Sequence, residues 1–167
     1  MHLFPIGKSS NSKTVYAHLT HEPLASGVAR NPHLLTLVSE IVAISELRDT
    51  PETVITHDMK RPIGYSAHLE TKDTDVVFYA KTSKHQPDFT RFVRMRQAER
   101  STMLTIKLVK DPLGDFELTD AWIGAPYPPV PADDTASEQS KTYWANHAVV
   151  YNGQALLTST ITKVCPY

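Results

Sequence analysis

Two short stretches hold most of the side chains able to do chemistry. The first is His57-Asp58-Met59-Lys60-Arg61-Pro62, which gathers an imidazole, a carboxylate and two cations. Histidine exchanges protons near neutral pH, and Lys60 or Arg61 offers charge to a developing phosphorane. Metal-independent RNA cleavage asks for such groups, because the substrate's own 2′-hydroxyl is the nucleophile. A solvated turn ahead of the first clear strand accounts for the same residues without any reaction.

The second stretch runs from Lys81 to Lys110. It carries eight Lys or Arg against two acids, Asp88 and Glu99, so it holds +6 while the rest of the chain sums to −7. Such asymmetry points to a surface that faces a polyanion. Arg91, Arg94 and Arg96 lie close together, with Lys81 and Lys84 ahead of them and Tyr79, Phe89 and Phe92 interleaved. Arginine forks grip phosphate, and aromatic rings stack unpaired bases. Lys60, Arg61, Lys84, Arg96, Arg100 and Lys107 complete the residues expected to contact a nucleic acid. Strand alternation sends Arg91 and Arg94 to opposite faces unless a bulge intervenes. The competing reading is a solvated sheet face whose aromatics point into the core.

Other groups carry less. His18, His21 and Glu22 have chelating spacing only on a helix, and a metal site needs a further ligand; no metal or cofactor is expected. Cys165 is the one cysteine, which rules out an intramolecular disulfide. Tyr143, Trp144 and His147 share one face of a short helix and, beside a proline-rich loop, form an alternative surface for a protein partner or a second copy. Trp122 falls on the alternation of Phe116 and Leu118 and is expected in the core. There is no glycine-rich phosphate loop, serine nucleophile elbow or paired-cysteine spacing.

The elements that must position these groups follow from periodicity. Residues 1–13 read as a flexible leader and 14–167 as a single α+β domain. Thr14–Glu22 fits either a helix or a strand. Asn31-Pro32 is an N-cap followed by a favoured first helical residue, and Leu34, Leu37, Val38, Ile41, Ile44 and Leu47 predict a helix over 32–48. From Gly64 the period changes to two, predicting an antiparallel sheet over 64–123. Its clearest part is a hairpin in which Leu104, Ile106 and Leu108 face Phe116, Leu118 and Trp122 across the Asp111–Asp115 turn. Prolines 126, 128, 129 and 131 make 125–140 a surface loop. Residues 141–167 read as a short helix and a final hairpin turning at Asn152-Gly153. The expected architecture is an N-terminal helix packed on a twisted antiparallel sheet of about five to seven strands. No apolar run reaches the ~20 residues of a membrane helix, and the N-terminus lacks a secretory pattern, so a cytoplasmic protein is expected.

In layout, the chain resembles small bacterial RNase toxins of the RelE, barnase and EndoU-like group. Thr90-Arg91-Phe92-Val93-Arg94, Met103-Leu104-Thr105-Ile106-Lys107-Leu108 and Glu117-Leu118-Thr119-Asp120-Ala121-Trp122 carry the likeness, within His57–Gly124. Gly124–Tyr167 extends beyond the compact form of that group. The resemblance implies metal-independent RNA cleavage, with His57, Lys81, Arg91, Arg94 and Thr105 as the positions to test. His57 would be general base or acid, Arg91 and Arg94 would hold phosphates, and Lys81 would stabilise developing charge. A non-catalytic nucleic-acid-binding module and a protein-interaction domain are the alternatives.

Overall fold

Leu104, Ile106 and Leu108 turn to one side of a strand and are fully buried, as are Phe116, Leu118 and Ala121 on the strand paired with it. The computed structural model that shows this describes residues 2–19, 32–66, 68–85 and 88–167. Its elements are β1 (His2–Lys8), β2 (Thr14–Leu19), α1 (Pro32–Ile44), β3 (Glu52–Asp58), β4 (Gly64–Ser66), β5 (His68–Glu70) and β6 (Val76–Ala80). There follow β7 (Thr90–Arg94), β8 (Glu99–Ser101), β9 (Met103–Lys110), β10 (Phe116–Ile123), α2 (Glu138–Asn146) and β11 (His147–Val150). The chain is α+β. Instead of one sheet it forms a five-stranded sheet, a four-stranded sheet and the β4–β8 pair.

These elements divide into two compact units, each made of two stretches of chain. Unit 1 is Met1–Gly64 with Ser101–Ala125, and unit 2 is Tyr65–Arg100 with Pro126–Tyr167.

Unit 1 holds the sheet β1-β2-β10-β9-β3, antiparallel except where β2 meets β10. Helix α1 packs on β1, β9 and β10, burying Leu34, Leu37, Val38, Ile41 and Val42. It ends at Ile44, short of the expected Arg48. There the Ser45 hydroxyl donates to the Ile41 carbonyl at 2.7 Å, a local bond that competes with continuing the helix. Leu47 is buried beyond the helix, whereas Ile44, expected on its buried face, is 62% exposed. The Asn31 cap lies outside the described residues, as do His21 and Glu22.

The expected leader is ordered instead. Residues 2–8 form β1, and Thr14–Leu19 resolves as the strand paired with it. Asn11 explains this: its amide donates to the Leu47 carbonyl at 2.8 Å and accepts from the Leu47 N–H at 3.2 Å. A stretch rich in Ser and Asn therefore serves as a hydrogen-bonded turn under the end of α1.

The hairpin β9–β10 forms as expected, with one shift of register between Leu118 and Asp120. The extra residue, Thr119, makes a bulge that inverts the alternation beyond it. Ala121 takes the core position intended for Trp122, whose indole is only half-buried and donates to the Ala125 carbonyl at 3.0 Å.

Unit 2 holds the sheet β5-β11-β7-β6. Strand β11 enters between β5 and β7, antiparallel to the first and parallel to the second. The expected final hairpin does not form. Gln154 takes the bonds its turn would need, accepting from the Asn152 N–H at 2.8 Å and donating to the Val150 carbonyl at 3.2 Å. The chain instead returns along the edge of β6, where Tyr79 and Thr162 exchange backbone bonds of 2.7 and 2.9 Å. Leu69, Val93, Ala148 and Val150 make one cluster; Phe78, Ala80 and Phe92 make another.

Candidate functional site

Strand β3 is the edge of the unit 1 sheet and was not anticipated. It takes His57 and Asp58 out of the expected turn. The register pairs Ile55 with Ile106 and His57 with Leu104, so period two puts His57 on the face covered by α1. There it lines a cleft of about 340 Å³ with Glu40, Ile41, Ile44, Met59 and Arg61. The exposed Ile44 is one of its apolar walls.

Glu40 and Arg61 meet where one guanidinium nitrogen donates to both carboxylate oxygens, at 2.9 and 3.1 Å. Both side chains are about half exposed, so the pair is weak and exchanges readily with a competing anion. Lys60 is turned elsewhere. Its ammonium and backbone N–H both donate to Asp58 at 2.9 Å and, with Thr102, hold that carboxyl at about 2. The cleft thus offers an imidazole, a carboxylate and a guanidinium.

Thr105 is not part of that cleft. It pairs with Thr56, one residue from His57, and so belongs to the opposite face of the sheet. Its hydroxyl is buried, donates to the Gly124 carbonyl at 2.8 Å and meets the Thr56 hydroxyl at 3.0 Å. Thr105→Val is expected to cost about 1–3 kcal/mol, because it strips partners from buried groups. Urea unfolding checks this; a change below about 0.5 kcal/mol would deny the hydroxyl that role.

Lys81, Arg91 and Arg94 belong to unit 2. The Lys81 ammonium lies 5.0 Å from the Phe89 ring centre. Arg94 is exposed and covers Phe78 and Tyr151 at 4.6 and 5.5 Å. Arg91 is only 8% exposed, held by the Thr71 hydroxyl and the His147 carbonyl at 2.9 and 3.0 Å. Alternation does separate Arg91 from Arg94, as expected, but it buries Arg91.

Much of the positive charge is met locally. Arg96 pairs with Asp75 at 2.6 Å and Glu99 at 3.5 Å, and Lys107 with Glu52 at 3.3 Å. Arg100 stands 6.0 Å over Tyr65, and Lys84 is exposed. Phe78 and Phe92 are buried, so they are not open stacking platforms. In the alternative partner surface, Tyr143 stacks on His147 at 3.8 Å, but Trp144 is 3% exposed.

Glu40 was the residue missed. It sits at helical spacing between Leu37 and Ile44, and only the position of β3 reveals its neighbours. Among the described residues, no three of His, Cys, Asp and Glu gather as metal ligands, and no helix is long and apolar enough to cross a membrane. No protein-family model, curated protein or solved structure matches the chain.

Proposed function

We propose that the chain is a metal-independent ribonuclease whose chemistry belongs to the unit 1 cleft. The observation that carries this reading is the shared lining of one cleft by His57, Glu40 and Arg61. A carboxylate and an imidazole make a base and an acid, and a guanidinium matches phosphate.

RNA phosphate displaces Glu40 from Arg61. The freed Glu40 carboxylate accepts the 2′-hydroxyl proton as the 2′-oxygen attacks phosphorus. Arg61 stabilises the charge that develops on the phosphoryl oxygens, and protonated His57 gives its proton to the departing 5′-oxygen. The products are a 2′,3′-cyclic phosphate and a 5′-hydroxyl, and no metal enters the balance. Ile44 and Met59 form an apolar wall beside the reacting groups.

The test is incubation with total and transfer RNA in EDTA, with His57→Ala, Glu40→Gln and Arg61→Ala alongside. Each substitution is expected to lower cleavage at least about 100-fold while leaving the thermal transition near that of the parent. Cleavage that survives His57→Ala would sink the proposal. Intact RNA with a salt-sensitive gel shift would replace it with a binding module that uses Arg94.

A further inference from the structure

Unit 2 contains a pocket of about 390 Å³ that the proposed reaction does not use. Its walls come from two elements and the returning chain. On α2, Lys141, Trp144 and Ala145 lie at i, i+3 and i+4 and share one face. From β6 comes Tyr79, and the chain that bridges back at Thr162 carries Tyr167 over it, ring edge to face at 5.8 Å. Pro131 closes the side. Three aromatic rings thus line the pocket, and Cys165 completes its wall.

Behind the Tyr79 wall is Arg91, its direct partner in the β6–β7 ladder. Directly opposite partners in a ladder share one face of the sheet, so the Arg91 side chain leaves the sheet on the same side as Tyr79. A guanidinium brings a full positive charge into this interior. Its two bonded acceptors are a hydroxyl and a carbonyl, its Nε–H has no partner, and among the described residues no carboxylate pairs with it. Burying a guanidinium among neutral groups is costly unless an anion completes the site.

We infer that this pocket binds a small aromatic monocarboxylate. Its ring lies among Tyr79, Trp144 and Tyr167, and its carboxylate faces the Tyr79 hydroxyl and Arg91. The volume falls at the small end of ligand pockets. One unused buried N–H and neutral phenols suit a single charge. Burial raises the Tyr79 and Tyr167 hydroxyls above their ordinary range, so both remain protonated donors at neutral pH. Lys141 at the rim adds a second cation, now paired with Glu138 at 3.0 Å.

The experiment titrates the whole chain with indole-3-carboxylate, following the Trp144 indole N–H by two-dimensional NMR. Indole-3-carboxamide keeps the ring without the charge, and acetate keeps the charge without the ring. A saturable shift is expected with the acid, at least about tenfold tighter than with the amide, and none with acetate. Ala145→Phe fills the pocket from an exposed helix position and should weaken binding by a further tenfold or more with the fold intact. The inference is overturned if the Trp144 resonance does not move up to about 10 mM acid, a level that sets binding weaker than about 3 kcal/mol. It is equally overturned if the amide binds as well as the acid, or if Ala145→Phe leaves the affinity unchanged.

Discussion

Trp144→Ala is expected to lower the unfolding free energy by about 3–5 kcal/mol, the usual range for a large buried aromatic. The indole is 3% exposed and centres an aromatic cluster. Tyr143 lies edge-on at 5.2 Å, His68 at 5.3 Å and Tyr127 at 6.1 Å. Its Nε1–H donates to the Pro128 and Pro129 carbonyls, each at 3.1 Å. Those carbonyls belong to a segment in which proline nitrogens donate nothing, so the indole is one of its anchors to α2. Truncation removes the packing and the anchor together. Trp144→Phe separates them, retaining most of the ring volume and losing the donor, for about 1–2 kcal/mol. Urea unfolding followed by far-UV circular dichroism reads both values. An alanine variant within about 1 kcal/mol of the parent would show that the cluster is a surface feature.

Acidification supplies the second large effect. His68 stacks on Tyr127 at 4.0 Å, and its Nδ1 has no partner. Burial, and then the like charge of His147, lowers its pKa from 6.5 to about 4. In the unfolded chain His68 takes up a proton near pH 6.5; in the folded chain it resists until about 4. Between those values the unfolded state binds more protons, so folding stability declines as pH falls. The contribution is complete above about 6.5, is lost progressively down to about 4, and changes no further below that. The pKa difference corresponds to about 3 kcal/mol. Asp58 acts in a lower window, its stabilisation being present above the ordinary carboxylate range and lost as pH falls toward about 2. Unfolding free energies measured from neutral pH to about 4 should fall for the parent and stay nearly level for His68→Phe. Parallel curves for the two proteins would refute the assignment.

The parts of the fold legible in the sequence are those governed by one local period. The β9–β10 hairpin and the body of α1 are of this kind: Leu104, Ile106 and Leu108, or Leu37, Val38 and Ile41, show their buried side without knowledge of a partner. Trp122 was misplaced because a bulge at Thr119 reverses alternation, and nothing in Glu117-Leu118-Thr119-Asp120 announces it. Strand β3 was missed because Glu52–Asp58 is half-buried at an edge and its pattern is diluted by Thr53 and Thr56. Strand β11 was recognised, yet its neighbours were not, since a parallel pairing with β7 depends on chain distant in sequence. The candidate site was legible to a similar degree. His57 and Arg61 stand out by residue type, whereas Glu40 joins them through packing. Arg91 looked like a surface cation, but its ladder position opposite Tyr79 made it an interior one.

The interleaving of the two units bears on how the polypeptide acquires its structure during synthesis. A nascent chain that has emerged through Arg100 holds β1 to β7 and most of β8, yet can complete neither large sheet. Unit 1 still lacks β9 and β10, which join β2 to β3, and unit 2 lacks β11, which joins β5 to β7. Both sheets therefore wait for a strand that inserts between strands made earlier, a long-range closure of the kind that slows folding. Until then β2, β3, β5 and β7 present unpaired backbone to the ribosome exit and to other chains. Unit 1 closes once Ile123 is available, and unit 2 only after Val150. Chaperones thus meet a chain whose unit 1 sheet can be joined while unit 2 still holds only its β6–β7 pair, with β5 waiting for β11.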